Sequence, residues 1–220
     1  MSEPTLDDVA CLNARRRSLE LKSIVGHHCD VFQMSVHRGR HRKPYDVVIK
    51  KYRGLCSFRQ IQVLDKDYRR LKSNLEDIVP NTIFVPVRMR HGQSVIAVSH
   101  AIVPWFNLAN PINEADAVPL LRKLPKARNQ LMRFCHAARK WAHEKHGKII
   151  DLYGLDNLVL STNREIRYLD SFHVFFYADM SHFLDEEDDQ LNHRMEISIS
   201  RFEYLEHLLS DARKKPKQVP

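Results

Sequence analysis

The 220 residues carry 35 Lys and Arg against 27 Asp and Glu, a formal net charge of +8, and 43% of them are hydrophobic, enough to build the core of one domain or of two small lobes. Four cysteines (Cys11, Cys29, Cys56, Cys135), sparse and without a C-x-x-C pair, exclude a disulfide framework and a structural zinc site. The polar, acidic start Met-Ser-Glu-Pro-Thr-Leu-Asp-Asp has no apolar core of a signal peptide, and no stretch approaches the roughly 20 apolar residues that span a bilayer, so a cytoplasmic location is expected, with a secreted effector also compatible.

In chain order, residues 1 to 20 read as a flexible polar arm. Ser23 to Val36 reads as two strands around a turn at Gly26 to Asp30, and Tyr45-Asp-Val-Val-Ile-Lys50 as a third, β-branched strand. Apolar residues at Phe58, Ile61, Leu64, Tyr68, Leu71 and Leu75 recur every three or four positions and predict a helix with one buried face, ended by Pro80. Two strands follow, Thr82 to Arg88 and Ser94 to Ser99, joined by a turn at His91-Gly92. Val103-Pro-Trp-Phe-Asn-Leu then breaks the pattern as a connector, so 21–101 is expected to be one small lobe, a five-stranded sheet with one helix. A second, mostly helical lobe is expected over 102–212. It holds a long helix with Leu124, Ala127, Leu131, Cys135, Ala138 and Ala142 on one face, stopping near His146-Gly147. Two short strands follow, Asn157 to Leu160 and Glu165 to Leu169, and a last helix from Leu191 to Leu209 with Met195, Phe202, Leu205 and Leu209 inward. Residues 213–220 form a basic tail.

Positive charge is densest at Arg15 to Arg17 and from Arg122 to Lys148, where Glu144 is the sole acid; an acidic run, Asp185 to Asp189, comes later and caps or precedes the last helix. Such a balance attracts phosphate of any origin and does not choose among nucleotide, nucleic acid and lipid. Charge runs of this kind are most often solvated helix faces. His143-x-x-His146 offers two ligands without a third, too few for zinc.

The chemistry-bearing residues fall in a definite order. Val47-Val-Ile-Lys50 is a strand ending in a lysine, with Lys51 on the opposite face. Further on stands Trp141-Ala-His-Glu-Lys-His-Gly-Lys-Ile-Ile-Asp-Leu-Tyr-Gly-Leu-Asp-Asn-Leu-Val-Leu160, then Tyr168-Leu-Asp-Ser-Phe172. Together, over about Leu21 to Phe172, these resemble the protein kinase family: the V-A-I-K strand, the catalytic loop with its following strand, and D-F-G. The resemblance implies an α+β, two-lobed kinase-like fold with a reduced C-terminal lobe that binds ATP and Mg²⁺. By it, Lys50 holds the α and β phosphates, Asp151 is the catalytic-loop aspartate, and Asn157 and Asp170 are the metal ligands. Asp67 stands where the family has the helix glutamate that pairs with the lysine, with Asp65 and Glu76 as alternatives; Gly26 stands alone where the family has a glycine-rich loop, beside His27 and His28. Trp105 and Phe106 read either as adenine packing or as core, and Tyr153 either as an acceptor contact or as packing.

The departures are specific. Ile149-Ile150 replaces the family's His-Arg, so an arginine for a phosphorylated activation loop is missing. The loop from Asp151 to Asn157 is one residue longer than D-x-x-x-x-N, which makes Asp156 a competitor for the metal. Phe172 replaces the D-F-G glycine, and only about 50 residues follow Asp170. The expectation is therefore a reduced or atypical branch: a lipopolysaccharide-sugar kinase, a small-molecule phosphotransferase or a minimal bacterial effector kinase, phosphorylating a hydroxyl on a protein, sugar or lipid, with an anionic acceptor or partner suited to the basic helix. A pseudokinase that binds nucleotide or scaffolds is the alternative. A basic nucleic-acid-binding protein is the second, though it gives no reason for the order of Lys50, Asp151 and Asp170.

Overall fold

A computed structural model of the chain describes residues 20–23, 29–36, 45–89, 91–177 and 189–214. Gly26, His27, His28, Arg15 to Arg17, most of the 185–189 acidic run and the tail beyond residue 214 lie outside them. The described chain is mixed α+β, with one five-stranded antiparallel sheet, smaller sheets and four α-helices. It divides into two compact units: Met1–Lys72 with Pro80–Ile102, and Ser73–Val79 with Val103–Pro220.

In the first unit, β1 (Glu20–Ser23), β2 (Cys29–Val36), β3 (Tyr45–Tyr52), β4 (Thr82–Met89) and β5 (Gly92–His100) form a sheet of order β1-β2-β3-β5-β4. Alternation along β3 puts Val47 and Ile49 with Met34, Val98 and Ile96 in an apolar cluster on one face. On the other face, directly opposed residues form the row Val31, Lys50, Ala97, Phe84. The β4–β5 hairpin turns at Gly92, whose φ of 151° suits glycine. Helix α1 (Phe58–Leu75) starts from a capping box: the Ser57 backbone N–H donates to Gln60 Oε1 at 2.7 Å, and the Gln60 N–H donates to Ser57 Oγ at 3.3 Å. Of its expected stripe, Ile61, Leu64, Tyr68, Leu71 and Leu75 are buried, whereas Phe58, at the first residue of the helix, is exposed. The Tyr68 ring meets Phe84 edge-on at 5.3 Å, so α1 lies on the face that carries Lys50. The helix stops at Leu75, before Pro80, where Glu76 takes a left-handed φ of 47°.

In the second unit, the pattern-breaking connector proves to contain a strand. Pro104–Asn107 is β6, paired with β8 (Leu158–Ser161), which pairs in turn with β9 (Ile166–Tyr168). Pro104 is tolerated because it stands at the strand's first residue, where its missing N–H is least needed. Helix α2 (Glu114–Lys123) was hidden by Pro119 inside it; α3 (Pro125–Ala142) follows directly, with Pro125 in its first turn. Its face Ala127, Leu131, Phe134, Cys135, Ala138 and Trp141 is buried, whereas Ala142 is exposed and the helix ends there, short of His146. Trp141 packs edge-on against Phe175 at 4.9 Å. Phe175 belongs to β10 (Phe175–Tyr177), which pairs with β7 (Lys148–Ile150); these three-residue strands were too short to show a period. The buried Gln130 is satisfied at both ends, donating to Asp77 Oδ2 at 2.7 Å and accepting from the Ile166 N–H at 2.9 Å. Helix α4 runs from Asp189 to Arg213, so the acidic run ends in its first residue.

Candidate functional site

The site grows from the β7–β10 ladder and the β8–β9 hairpin. The Asp151 N–H donates to Val174 O at 2.9 Å, one bond beyond the β7–β10 pairs, so the ladder delivers Asp151 to the start of its loop. On the hairpin side the Leu169 N–H donates to Asn157 O at 2.8 Å, one bond beyond the Leu158–Tyr168 pair, which brings Asn157 and Asp170 to the same open end. Two bonds lock loop and hairpin together: Asn157 Nδ2 and the fully buried Tyr168 hydroxyl both donate to the Asp151 carbonyl, at 3.1 and 2.8 Å. Gly154 permits the first, since a Cβ there would lie 2.5 Å from Asn157 Oδ1.

Asp151 is 2% exposed. Its Oδ1 accepts the Tyr153 N–H at 2.8 Å and its Oδ2 faces Arg194 Nη2 at 3.2 Å. Burial first, and then the charge of Asp170, push its pKa up to about 6, against the pull of the Tyr153 N–H and Arg194. Asp170 is thus electrostatically coupled to Asp151; its own Oδ1 accepts the N–H groups of Ser171 at 2.7 Å and Phe172 at 3.4 Å. Phe172 is wholly buried, and the left-handed residue comes one place later, at His173 with φ 51°.

Sequence reasoning missed one face of α4. Arg194, Ser198 and Arg201, spaced four and three apart, all reach the loop. Ser198 Oγ accepts the Leu152 N–H at 3.1 Å, and Arg201 Nη1 donates to Leu152 O at 2.6 Å and to Tyr153 O. The Arg194 guanidinium lies over the rings of Tyr153 and Phe176, at 5.4 and 5.1 Å. The spacing was in the sequence, but no rule says which polar residues of a helix meet a distant loop.

Lys50 is half-buried in the first unit, on the sheet face that carries α1, and Lys51 is on the opposite face. Asp67 is half-buried beside Tyr68, between Leu64 and Leu71 on the packed stripe. Of the alternatives, Asp65 is engaged by Arg69 at 2.7 Å, and Glu76 belongs to the second unit, where Arg133 holds it at 2.8 Å. Asp156 is exposed and accepts from Asn107 Nδ2 at 3.1 Å, so it turns towards β6, while Asn157 turns towards Asp151. Trp105 is half-exposed, and Tyr153 is the seat for Arg194. Much of the basic helix is neutralised: Lys126 pairs with Glu165, Arg133 with Glu76 and Asp77, and Arg139 with Glu206. His143 Nδ1 lies 2.8 Å from Arg139 O.

An amide oxygen from Asn157 and a carboxylate from Asp170 are hard ligands of the kind Mg²⁺ takes, one or two from protein with the rest from water and phosphate. Among the described residues, the gathering of three His, Cys, Asp or Glu donors within 4.8 Å lies elsewhere, at Glu114, His207 and Asp211. Lys214 at 2.7 Å from Asp211 Oδ1 and Arg122 at 2.9 Å from Asp211 O bring positive charge to that cluster, which acts as an ion-pair network between α2 and α4. Cys29, Cys56 and Cys135 are buried, and burial pushes the Cys135 thiol up to about 12, an unreactive state. Among the described residues, no helix is long and apolar enough to cross a membrane. Comparison with protein-family models finds no match, and comparison with curated proteins finds none either.

Proposed function

We propose that this protein is a small, atypical kinase-like phosphotransferase that moves the γ-phosphoryl group of ATP to a hydroxyl acceptor. The observation that carries the reading is the knot in the second unit. Asn157 is bonded through its amide to the backbone of Asp151, and Asp170 is close enough to add to the effect of burial in raising the Asp151 carboxyl to about 6. Those three residues were singled out by their order in the chain, and the fold of one unit gathers them.

The roles follow from the chemistry. Asn157 and Asp170 would hold Mg²⁺, which neutralises charge on the phosphates when bound. Lys50 is the cation that the resemblance assigns to the α and β phosphates, and Asp67 the acid of α1 that it assigns to pair with the lysine. Asp151 accepts the proton of the acceptor hydroxyl as its oxygen bonds to the γ-phosphorus, and the bond to the leaving ADP oxygen breaks. With a pKa of about 6 it is mostly ionised at neutral pH and close enough to that pH to serve as a base.

A second reading, a nucleotide-binding pseudokinase, is favoured by the 2% exposure of Asp151 and by Arg194 lying on it. The two separate on incubation of the purified protein with γ-labelled ATP and a lysate, followed by resolution of labelled protein, lipid and small molecules. Transfer that is lost in Asp151→Asn supports the enzyme; no label from wild type on itself or on any lysate component refutes it. Label from α-labelled ATP indicates nucleotidyl transfer instead.

A further inference from the structure

Two contacts between α3 and α4, both in the second unit, frame a groove. The Arg213 guanidinium donates to Met132 Sδ, and Arg139 donates through Nε and Nη2 to one oxygen of Glu206, Oε1, at 3.0 and 2.5 Å. Met132 to Arg139 on α3 and Glu206 to Arg213 on α4 each span about two turns, so the helices run antiparallel and the contacts form two rungs roughly 10 Å apart by helical rise. Between the rungs lies a groove of about 400 Å³. Cys135 and Leu209, both buried, and Met132, which is 40% exposed, give it an apolar wall.

The charges of the groove do not cancel. Arg139 is matched by Glu206, whereas Arg213, exposed on the last turn of α4, has no acidic partner among the described residues and directs its bond to a thioether, a weak acceptor. His136 also lines the groove and brings no negative charge. The three charged groups converge on the wall: burial holds the Cys135 thiol up, Glu206 raises it further, and Arg139 and Arg213 lower it. One guanidinium in excess beside apolar surface suits one anion with an apolar body. A carboxylate matches the guanidinium in shape and charge, and its charge-assisted bonds are stronger than the sulfur contact they replace. Met132, flexible and polarizable, is then released to pack on the apolar body. A helix or strand of a partner protein would run past both rungs, while about 400 Å³ lies within the range of small-molecule sites.

We propose that the groove between α3 and α4 is a binding site for a small amphiphilic carboxylate of the fatty-acid class, with Arg213 holding the acid group and Met132, Cys135 and Leu209 the apolar body. The site involves neither nucleotide nor the Asp151 loop, so it goes beyond the phosphotransferase reading and does not depend on it. No covalent bond is made or broken.

The test is equilibrium dialysis of labelled octanoate against the full-length protein at constant ionic strength, with acetate and 1-octanol as competitors and thermal melting to confirm that each variant is folded. Octanoate is expected to bind saturably. Acetate, which lacks the apolar body, and octanol, which lacks the charge, should each compete roughly tenfold or more less well. Arg213→Gln, at an exposed position, should weaken binding roughly tenfold or more, and Met132→Asn about threefold or more. Glu206→Gln removes the acid that lines the groove and should tighten binding by about threefold, which a purely apolar contact does not predict. Lys140→Gln, at an exposed cation of α3 outside the lining, should bind as the wild type does. Equal affinity in the wild type and Arg213→Gln overturns the proposal. So does a loss in Lys140→Gln as large as in Arg213→Gln, the mark of general attraction to a basic surface. Octanol or acetate competing as well as octanoate refutes the amphiphile assignment, and so does folded Glu206→Gln binding no more tightly than the wild type. None of these outcomes bears on transfer from ATP, which incubation with labelled nucleotide reads separately.

Discussion

Replacing Asp151 by Asn should flatten one part of the protein's stability profile with pH. In the folded protein burial and the neighbouring Asp170 hold the Asp151 carboxyl at about 6, against 3.8 for an unperturbed aspartate, a difference of about 2 units. A carboxyl that keeps its proton more tightly when folded favours the fold where both states are protonated, and that advantage is lost as pH rises through the folded value. The loss therefore runs from about pH 4 to somewhat above pH 6, and at roughly 1.4 kcal/mol per unit amounts to about 3 kcal/mol. Among the described residues, the charged groups facing the carboxyl are Asp170, Arg194 and Arg201, with the hydroxyl of Tyr168 on the adjoining carbonyl. Asn keeps an oxygen for the Tyr153 N–H but cannot ionise. Urea unfolding of wild type and Asp151→Asn at pH 4, 5, 6 and 7 reads the coupled Asp151–Asp170 pair, because titrating residues away from it cancel in the difference. The variant should gain on the wild type by up to about 3 kcal/mol across that window. A difference that stays constant from pH 4 to 7 refutes the description of Asp151 as a desolvated carboxyl coupled to Asp170.

Three further outcomes are expected. Mg²⁺ with ATP should raise the melting temperature, and Asp170→Asn should remove most of that gain by deleting a charged ligand, while Asp151→Asn keeps the gain and loses transfer by roughly 10² to 10⁴; equal shifts in wild type and Asp170→Asn count against Asp170. Lys50→Met should shrink the nucleotide-dependent shift and Lys51→Met leave it nearly intact, because the two side chains stand on opposite faces of β3; equal effects, measured by the same thermal shift, refute the assignment of Lys50. Gly154→Ala should displace the Asn157 amide, whose Oδ1 lies only 2.5 Å from where the new Cβ would stand, and so weaken the Mg²⁺-dependent part of the shift, with urea stability lowered by only about 1 kcal/mol; unchanged Mg²⁺ dependence shows that Asn157 is not a ligand.

The elements legible in the sequence are those whose burial repeats. Helix α1 shows five buried residues at helical spacing, so period located it, and β3 was legible from its β-branched run Val47-Val48-Ile49. Strands β7 and β10 have three residues each, too few for any period, whereas β8, buried at every residue and so without alternation, was legible from its short apolar run Leu158 to Leu160. Helix α2 carries Pro119, a residue that argues against a helix locally, and was decided by packing of Ala117 and Leu121. In the Pro104 to Asn107 stretch, proline signalled a break where the register with β8 needs only a strand's first residue without a donor.

The candidate site divides along a similar physical line. Asp151, Asn157 and Asp170 lie within one short span of chain, where a hairpin and a ladder fix what meets what, so their order already implied their meeting. Arg194 and Arg201 come from a helix that begins well beyond Asp170, and a reading of that helix for apolar spacing places Met195, Leu205 and Leu209 while assigning the arginines to solvent by default. That default fails because the loop leaves the carbonyl oxygens of Leu152 and Tyr153 and the Leu152 N–H without strand partners, and buried backbone groups must be satisfied. Ser198 and Arg201 answer that need at fixed spacing, and Arg194, one turn before Ser198, is carried by the same helix to the buried carboxylate. A loop that keeps an ionisable group out of water therefore imposes requirements on whatever element covers it, and the covering residues here are cationic because the group is an aspartate. The same reasoning explains why an apolar replacement at Arg194 should push the Asp151 carboxyl further up while one at Ser198 should loosen the loop: the first removes charge compensation, the second a backbone partner.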